Sequence, residues 1–432
     1  MLLLILFLAA RNTRFILGRN WSASDDFATL IDVEGVRLGA MIEGGVLALA
    51  LLASLFRRRR VELSGLVDWA PYLYAGLALV GLLEGYRNDN PAIYILGDAY
   101  QYGALAVGYY ATLRLARSPA EIRMAVRAML AIAGLFTVWE VSSAVLSGDI
   151  VRARFGTFHF LTVLMFMLPR LVEGSRLRFP ELALYGLAAI NLALSVARST
   201  MMVVGAVTLV YVLNCLLRRG RLPVGVAAML VGSAAAVGYY GEKMSYRKAA
   251  FDAFFVRHFS TLFGTGRYAS GSVTHRLSEA EDVMQEVLPA RWVLGGGMGA
   301  VVFTRRRAVE GDRHYVHMIL PSVLLRAGLL GVGVHLLLVV GSSWRGIRRM
   351  GVLRPGWLRQ TYAGALTFFV VVAVNSMIDS NMFLGWSGFL GLLLGLQNNI
   401  YRLETRQVAC ESAPVAPAVG IRLGRAAAPA AS

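Results

Sequence analysis

Apolar runs long enough to cross a bilayer follow one another along almost the whole chain, and this restricts the fold more than any other feature of the sequence. A hydrocarbon core of ~30 Å takes roughly 20 apolar residues in a helix. Runs of about that size occupy residues 39–56, 66–84, 96–113, 124–147, 156–172, 181–197, 200–217, 222–240, 317–340, 361–379 and 382–400, with a shorter one at 1–10. The expectation is an all-α, polytopic membrane protein of about twelve transmembrane helices. No soluble domain needs a chain that is 57% hydrophobic and only 16% charged. The 1–10 run lacks a basic leader and a cleavage site, so it reads as a short or truncated first span rather than a signal peptide.

The charge pattern orients these spans. Formal net charge is +17, carried almost wholly by arginine, the only lysines being Lys243 and Lys248. Nucleic-acid binding is the usual reading of such basicity. Here, however, the arginines cluster in short connections at 57–60, 114–127, 170–178, 218–221, 345–359 and 402–425, at every second junction between spans. That is the distribution by which cytoplasmic loops set topology, so no nucleic-acid partner is expected. Both termini fall in the cytoplasm and residues 241–316 fall outside. Four regions result: residues 1–240 with helices one to nine, the loop 241–316, residues 317–400 with helices ten to twelve, and a cytoplasmic tail 401–432 whose Ala/Pro-rich part from Ala409 reads as disordered.

The 241–316 loop is the one long hydrophilic stretch, and its positive charge lies outside the reach of the topology rule. Within it, residues 247–263 place Phe251, Phe254, Phe255, Phe259 and Leu262 at helical spacing among basic residues, the pattern of an interfacial amphipathic helix. A second helix is expected over 275–288, ended by Pro289. Cys215 and Cys410 both lie outside the loop, which therefore holds no disulfide.

The candidate chemistry gathers around this loop. Arg198 ends an apolar run on the outer side and either snorkels to headgroups or binds phosphate, for which a planar guanidinium that cannot lose its proton is suited. Arg276, near the start of the second loop helix, either pairs with a neighbouring carboxylate such as Glu279 or does the same. The GGGMG run, with Gly295, Gly297 and Gly299, follows no strand and is too short for a nucleotide-binding loop. Its glycines suit a tight turn where backbone approaches backbone or a ligand. His314 and His317 at i,i+3 lack a third nearby ligand for a metal site. At the mouth of the 317–340 run, His317 reads instead as a general base or phosphate-binding imidazole, or as an interfacial histidine bonded to loop backbone. Arg152, Arg154 and His159 face the same side at the start of the 156–172 run. Glu279, Glu281 and Asp282 stand as reserve bases.

Taken in order, several blocks resemble the membrane glycosyltransferase superfamily of O-antigen ligases and O-antigen polymerases. RARFGTFHF (152–160) resembles the family's entry to a mid-chain span, LSVARST (194–200) its serine-arginine motif, THRLSEAE with PARWVLGGGMG its loop arginine and glycine-rich turn, and HMILPSVLLRAGLLG (317–331) the segment opening the next span. Met318 stands where the family usually has Asn, and Ala280 where it commonly has Trp. The resemblance implies a GT-C-like helical fold in a bacterial inner membrane, and transfer of an undecaprenyl-diphosphate-linked glycan to a sugar hydroxyl at the periplasmic face. The acceptor would be a growing glycan or lipid A-core, with a chain-length regulator or other glycan-assembly proteins as partners. Arg198 and Arg276 would stabilise the diphosphate leaving group and His317 would act as base. Arg152, Arg154, His159, His314 and the glycine turn would line the substrate, with neither cofactor nor metal required. Ligation and polymerisation stay open, and so does a different class, a transporter or lipid-linked glycan flippase, which would carry internal repeats and broken helices with charges at mid-membrane.

Overall fold

The computed structural model describes residues 38–56, 63, 65–147, 157–173, 178–194, 198–219, 269–304, 311–314 and 316–412. These are overwhelmingly helical: α1 (Leu38–Phe56), α2 (Leu66–Arg87), α3 (Ala92–Leu115), α4 (Pro119–Ser147), α5 (Thr157–Val172), α6 (Phe179–Leu194), α7 (Arg198–Arg219), α8 (Ala269–Val287), α9 (Ile319–Leu336), α10 (Ser342–Met350), α11 (Trp357–Ser376), α12 (Asn381–Leu384) and α13 (Ser387–Ser412). Among the described residues, four helical stretches are by length and composition able to cross a membrane: Leu66–Arg87, Pro119–Trp139, Ile319–Met350 and Trp357–Ser376. Shorter apolar helices run over His159–Val172, Phe179–Leu192 and Met202–Leu217. The expected spans at 1–10 and 222–240 and the amphipathic helix at 247–263 lie outside the described residues, whereas the second loop helix appears as α8. α9 continues through a π-helical stretch, Leu337–Gly341, into α10, so this helical rod passes the expected end at 340.

Local sequence explains individual helix starts. Ser118, Pro119 and Glu121 open α4 with a capping box: the Glu121 carboxylate accepts from the backbone N–H groups of Arg117 and Ser118 at 2.9 Å, and Ser118 Oγ accepts from Glu121 N at 3.2 Å. Proline suits the first helical turn because its missing N–H would be unbonded there anyway.

The bundle is built around α3, which packs on α1, α2 and, most extensively, α13. α3 and α13 meet at backbone distance because small residues face each other. A Cβ on Gly391 would come within 2.0 Å of Leu105 O, and one on Gly108 within 2.1 Å of Gly388 O. Asn399 of α13 then donates to the Thr112 and Ala116 carbonyls at 2.9 and 2.8 Å, satisfying acceptors at the C-terminal end of α3. The two helices at this central contact are not among the four stretches long and apolar enough to cross a membrane. Enclosure by other helices relieves them of the need to be apolar on every face.

α9 is broken. Gly328 sits at φ 61°, and a Cβ there would meet Val293 O at 2.2 Å. The break frees backbone groups, and the chain from Trp292 to Gly296 takes them up: Leu329 N donates to Trp292 O (2.8 Å), Leu330 N to Val293 O (3.2 Å), and Gly296 N to Leu325 O (2.7 Å). A helix interrupted in an apolar setting must have its orphaned groups satisfied in this way. The first turns of α9 thereby join a cap made of α8, the connection after it, and a small antiparallel hairpin of β1 (Val302–Thr304) and β2 (Gly311–Arg313), in which Phe303 pairs with Asp312. This cap has its own apolar cluster of Val283, Val287, Ala300, Val302, Val316, Leu324 and Leu325, separate from the core of the bundle.

Candidate functional site

The cap delivers a carboxylate to a histidine. Glu279, on the core-facing side of α8 and only 1% exposed, accepts from the backbone N–H of His317 at 2.9 Å and from its Nδ1 at 3.0 Å. The His317 side chain remains 30% exposed. Two bonds to one carboxylate oxygen fix both the backbone and the ring. With Nδ1 carrying the proton that Glu279 accepts, Nε2 is the basic nitrogen, turned away from the carboxylate. Ser380, in the turn before α12, fixes the same point from the other side: its N–H donates to His317 O at 2.5 Å and its Oγ to Val316 O at 2.6 Å.

A second buried carboxylate holds the cap down. Asp98, nearly two turns into α3, accepts on a single oxygen from Gly299 N (2.8 Å), His314 Nε2 (3.0 Å) and Arg326 Nε (2.6 Å). Arg326, two residues before the break in α9, also donates to His314 O at 2.9 Å and to Ser322 Oγ at 2.5 Å. Both charges of this pair are almost fully enclosed. Further hydrogen bonds support a buried ion pair, and here the Arg326 guanidinium spends its nitrogens on Asp98, His314 and Ser322, while among the described residues His314 Nδ1 is buried without a partner. The His314 ring stacks on Tyr94 with centroids 4.2 Å apart. His314 and His317 thus turn to different carboxylates, one to Asp98 and the other to Glu279.

The glycine run serves packing. Gly295, Gly297 and Gly299 all take positive φ (73°, 82° and 76°), the left-handed region closed to most side chains. A Cβ on Gly297 would lie 2.2 Å from Gly85 N, and Met298 is pressed against Gly81 and Gly85 of α2, with its N–H donating to Gly81 O at 2.7 Å. Asn88 and Asn90 donate to the Gly296 carbonyl at 3.1 and 3.0 Å, and Asn90 also to Met298 O at 2.9 Å. Of the two uses open to these glycines, close approach of backbone to backbone is the one seen.

The other expected site residues fall as follows. Arg276 lies one turn before Glu279 on the same side of α8 and is half-buried; among the described residues its side chain forms no hydrogen bond or ion pair, and the expected pairing with Glu279 is absent. Arg198 is the first residue of α7, with its side chain outside what the structure describes. Two residues on, Thr200 Oγ1 accepts from Asn375 Nδ2 at 2.8 Å, and Asn375 precedes Ser380 by little more than one helical turn. The start of α7 therefore sits at the end of the bundle where Ser380 holds His317. His159 is buried, its ring stacked on Phe136 (4.7 Å) with Trp386 at its edge (6.3 Å). Arg152 and Arg154 lie outside the described residues.

Sequence reasoning passed over Asp98 and Arg326 and held Glu279 only in reserve as a base. The first two carried a visible signal, an ionisable residue inside an apolar run, which marks a functional or structural site by default. The signal for Glu279 was its i,i+3 spacing from Arg276.

Chemically, this end of the bundle offers an imidazole held by a carboxylate, able to take a proton on Nε2 and be stabilised as imidazolium, with one arginine on the neighbouring turn of the same helix. No family model matches the chain, and no curated protein matches it either.

Proposed function

We propose that this protein is a membrane glycosyltransferase that transfers or polymerises an undecaprenyl-diphosphate-linked glycan onto a sugar hydroxyl at the outer face of a bacterial inner membrane. The reading includes the twelve-span, GT-C-like topology with both termini inside and the cap outside. The observation that carries it is the Glu279–His317 pair, set beside Arg276 at the end of the bundle where α7 begins with Arg198. The order of the motif blocks supports the choice of donor.

In this mechanism the acceptor hydroxyl attacks the anomeric carbon while its proton passes to His317 Nε2. Glu279 holds the ring and balances the imidazolium. The bond from the anomeric carbon to the phosphate oxygen breaks, its electron pair leaves with the lipid diphosphate, and Arg276 and Arg198 meet the growing negative charge with fixed donors that need no proton transfer. General-base assistance of this kind contributes typically ~100 to 10,000-fold. The test is transfer from a lipid-diphosphate-linked glycan by the full-length protein in membranes, comparing the parent with Arg198→Ala, Arg276→Ala and His317→Ala. Loss in all three with accumulation of donor is expected, and retained transfer in all three overturns the assignment. Product length separates the two outcomes: a lost polymerase leaves single repeats on the acceptor, and a lost ligase leaves long chains on the carrier lipid.

The transporter or flippase reading draws on one observation, the break in α9 beside the buried Arg326. Its freed backbone groups are bonded by the 292–296 segment, and Arg326 is spent on Asp98, His314 and Ser322, which favours an anchor for the cap over a substrate path. Uptake of labelled lipid-linked glycan without glycan transfer would reverse that preference.

A further inference from the structure

α8 has two apolar sides. Ala280, Val283 and Val287 face the cap interior, while Leu277, Met284 and Leu288 form a second stripe, at i, i+7 and i+11, that is exposed. Glu281, four residues after Leu277 and seven before Leu288, is the one carboxylate within this stripe, and Gln285 and Glu286 occupy the polar side beyond it. The exposed stripe does not end with the helix. Trp292 and Val293 follow it, both exposed, and their carbonyls bond directly to the N–H groups of Leu329 and Leu330, which are themselves exposed on the membrane-crossing stretch Ile319–Met350. From there the apolar surface runs on through Leu336, Val340 and Trp344.

Distances along the helices place this surface. At 1.5 Å per residue, the rise from Trp344 back to Leu329 is about 22 Å. The rise from exposed Trp69 to exposed Tyr86 on α2 is about 25 Å, and from Arg123 to exposed Trp139 on α4 about 24 Å. Each value falls about 5–8 Å short of the ~30 Å hydrocarbon core, near whose two water interfaces aromatic residues anchor. On α2 and α4 the outer anchor is an aromatic residue of the helix itself. On α9 the corresponding level carries Leu329 and Leu330, and the aromatic residue is supplied by Trp292 of the cap.

We propose that the stripe of Leu277, Met284, Leu288 and Trp292 is a lipid-contact surface, seated in the interfacial region of the outer leaflet, so that α8 lies on the bilayer with Arg276 and Glu279 on its inward side. The occupant is the bilayer itself; the choice of the outer leaflet rests on the topology in the proposed function, and lipid contact depends on no particular reaction. The measurement is collision of a nitroxide label with oxygen, which partitions into lipid, against a water-soluble nickel chelate, in the full-length protein in phospholipid nanodiscs. Labels go on Met284→Cys, Leu288→Cys and Trp292→Cys in a Cys410→Ser background, Cys215 being buried. Glu286→Cys serves as the water reference and Leu83→Cys, exposed on α2, as the lipid reference. The expected result is an oxygen-to-nickel ratio at 284, 288 and 292 several-fold above that at 286 and on the side of 83. Ratios at 284 and 288 equal to that at 286, with 83 still reading as lipid, overturn the proposal whatever the activity of the protein.

Discussion

The two ends of the helical bundle are both built on a buried aspartate, and they use it differently. At one end Asp68 of α2 accepts from Tyr109 of α3 (3.1 Å), Asn398 of α13 (2.8 Å) and Arg345 of α10 (2.6 Å), while Arg349 reaches Asn398 and lies over the Tyr401 ring at 4.3 Å. These partners come from helices of the bundle, and the cluster ties those helices to one another. At the other end Asp98 accepts from Gly299 and His314, which belong to the cap, as well as from Arg326. The same chemistry there fastens a largely non-helical segment onto the helices. A few residues along, the cap presents His317 with its ring partly exposed. One end closes the bundle, and the other positions a reactive group on it.

The difference can be broken by substitution. The largest expected effect belongs to His317→Ala: a fall in glycan transfer of ~100 to 10,000-fold with a smaller loss of thermal stability than Asp98→Ala, because the backbone N–H of residue 317 still bonds Glu279. An equal fall in stability would make the residue structural. Next come the two aspartates. Removing one partner of a buried ion pair costs about 3–5 kcal/mol, so Asp68→Ala and Asp98→Ala should each lower the unfolding midpoint. They should part company in activity per folded molecule: Asp98→Ala loses it because Gly299 and His314 are released, and Asp68→Ala keeps it. Equal specific activities would erase the contrast between the ends. Gly297→Ala forces a side chain into a left-handed backbone against Gly85 N, a strain of order 1–3 kcal/mol. Its stability loss should be smaller than that of Asp98→Ala, and a neutral result would mean that the turn relaxes freely. The smallest effect is Glu84→Gln, at the exposed Arg87 pair (3.0 Å), where less than about 1 kcal/mol is expected because solvent screens it.

Much of this contrast was latent in the sequence, in unequal measure. Helix positions follow from apolar run length, and the cap helix α8 from the polar, Pro-terminated 275–288 segment. Its partner at 247–263 and the outer arginines Arg152 and Arg154 lie outside the described residues. Run length said nothing of the break at Gly328, because a glycine inside LLRAGLL reads as tolerated helix until a second segment arrives to bond the freed groups. The hairpin escaped because three-residue strands carry too little alternation to register. Arg276, Arg198 and His317 were singled out from local spacing and motif order. The pairing of Asp98 with Arg326 across more than two hundred residues was not, since each charge taken singly is only an oddity in an apolar run. His159, expected from its place beside arginines to line the substrate, is buried with its ring stacked on Phe136 and Trp386 at its edge, an environment that no local spacing announces.

The account stands or falls on the carboxylate behind His317. The direct measurement is the rate of transfer from a lipid-diphosphate-linked glycan by Glu279→Gln in the full-length, membrane-embedded protein, beside Asp68→Asn. Glutamine keeps the shape but removes the charge that steadies the imidazolium, so transfer per folded molecule should fall at least ~10-fold, and Asp68→Asn should retain the parent rate per folded molecule. Full transfer by Glu279→Gln would contradict the account, because the carboxylate would then be cap architecture alone.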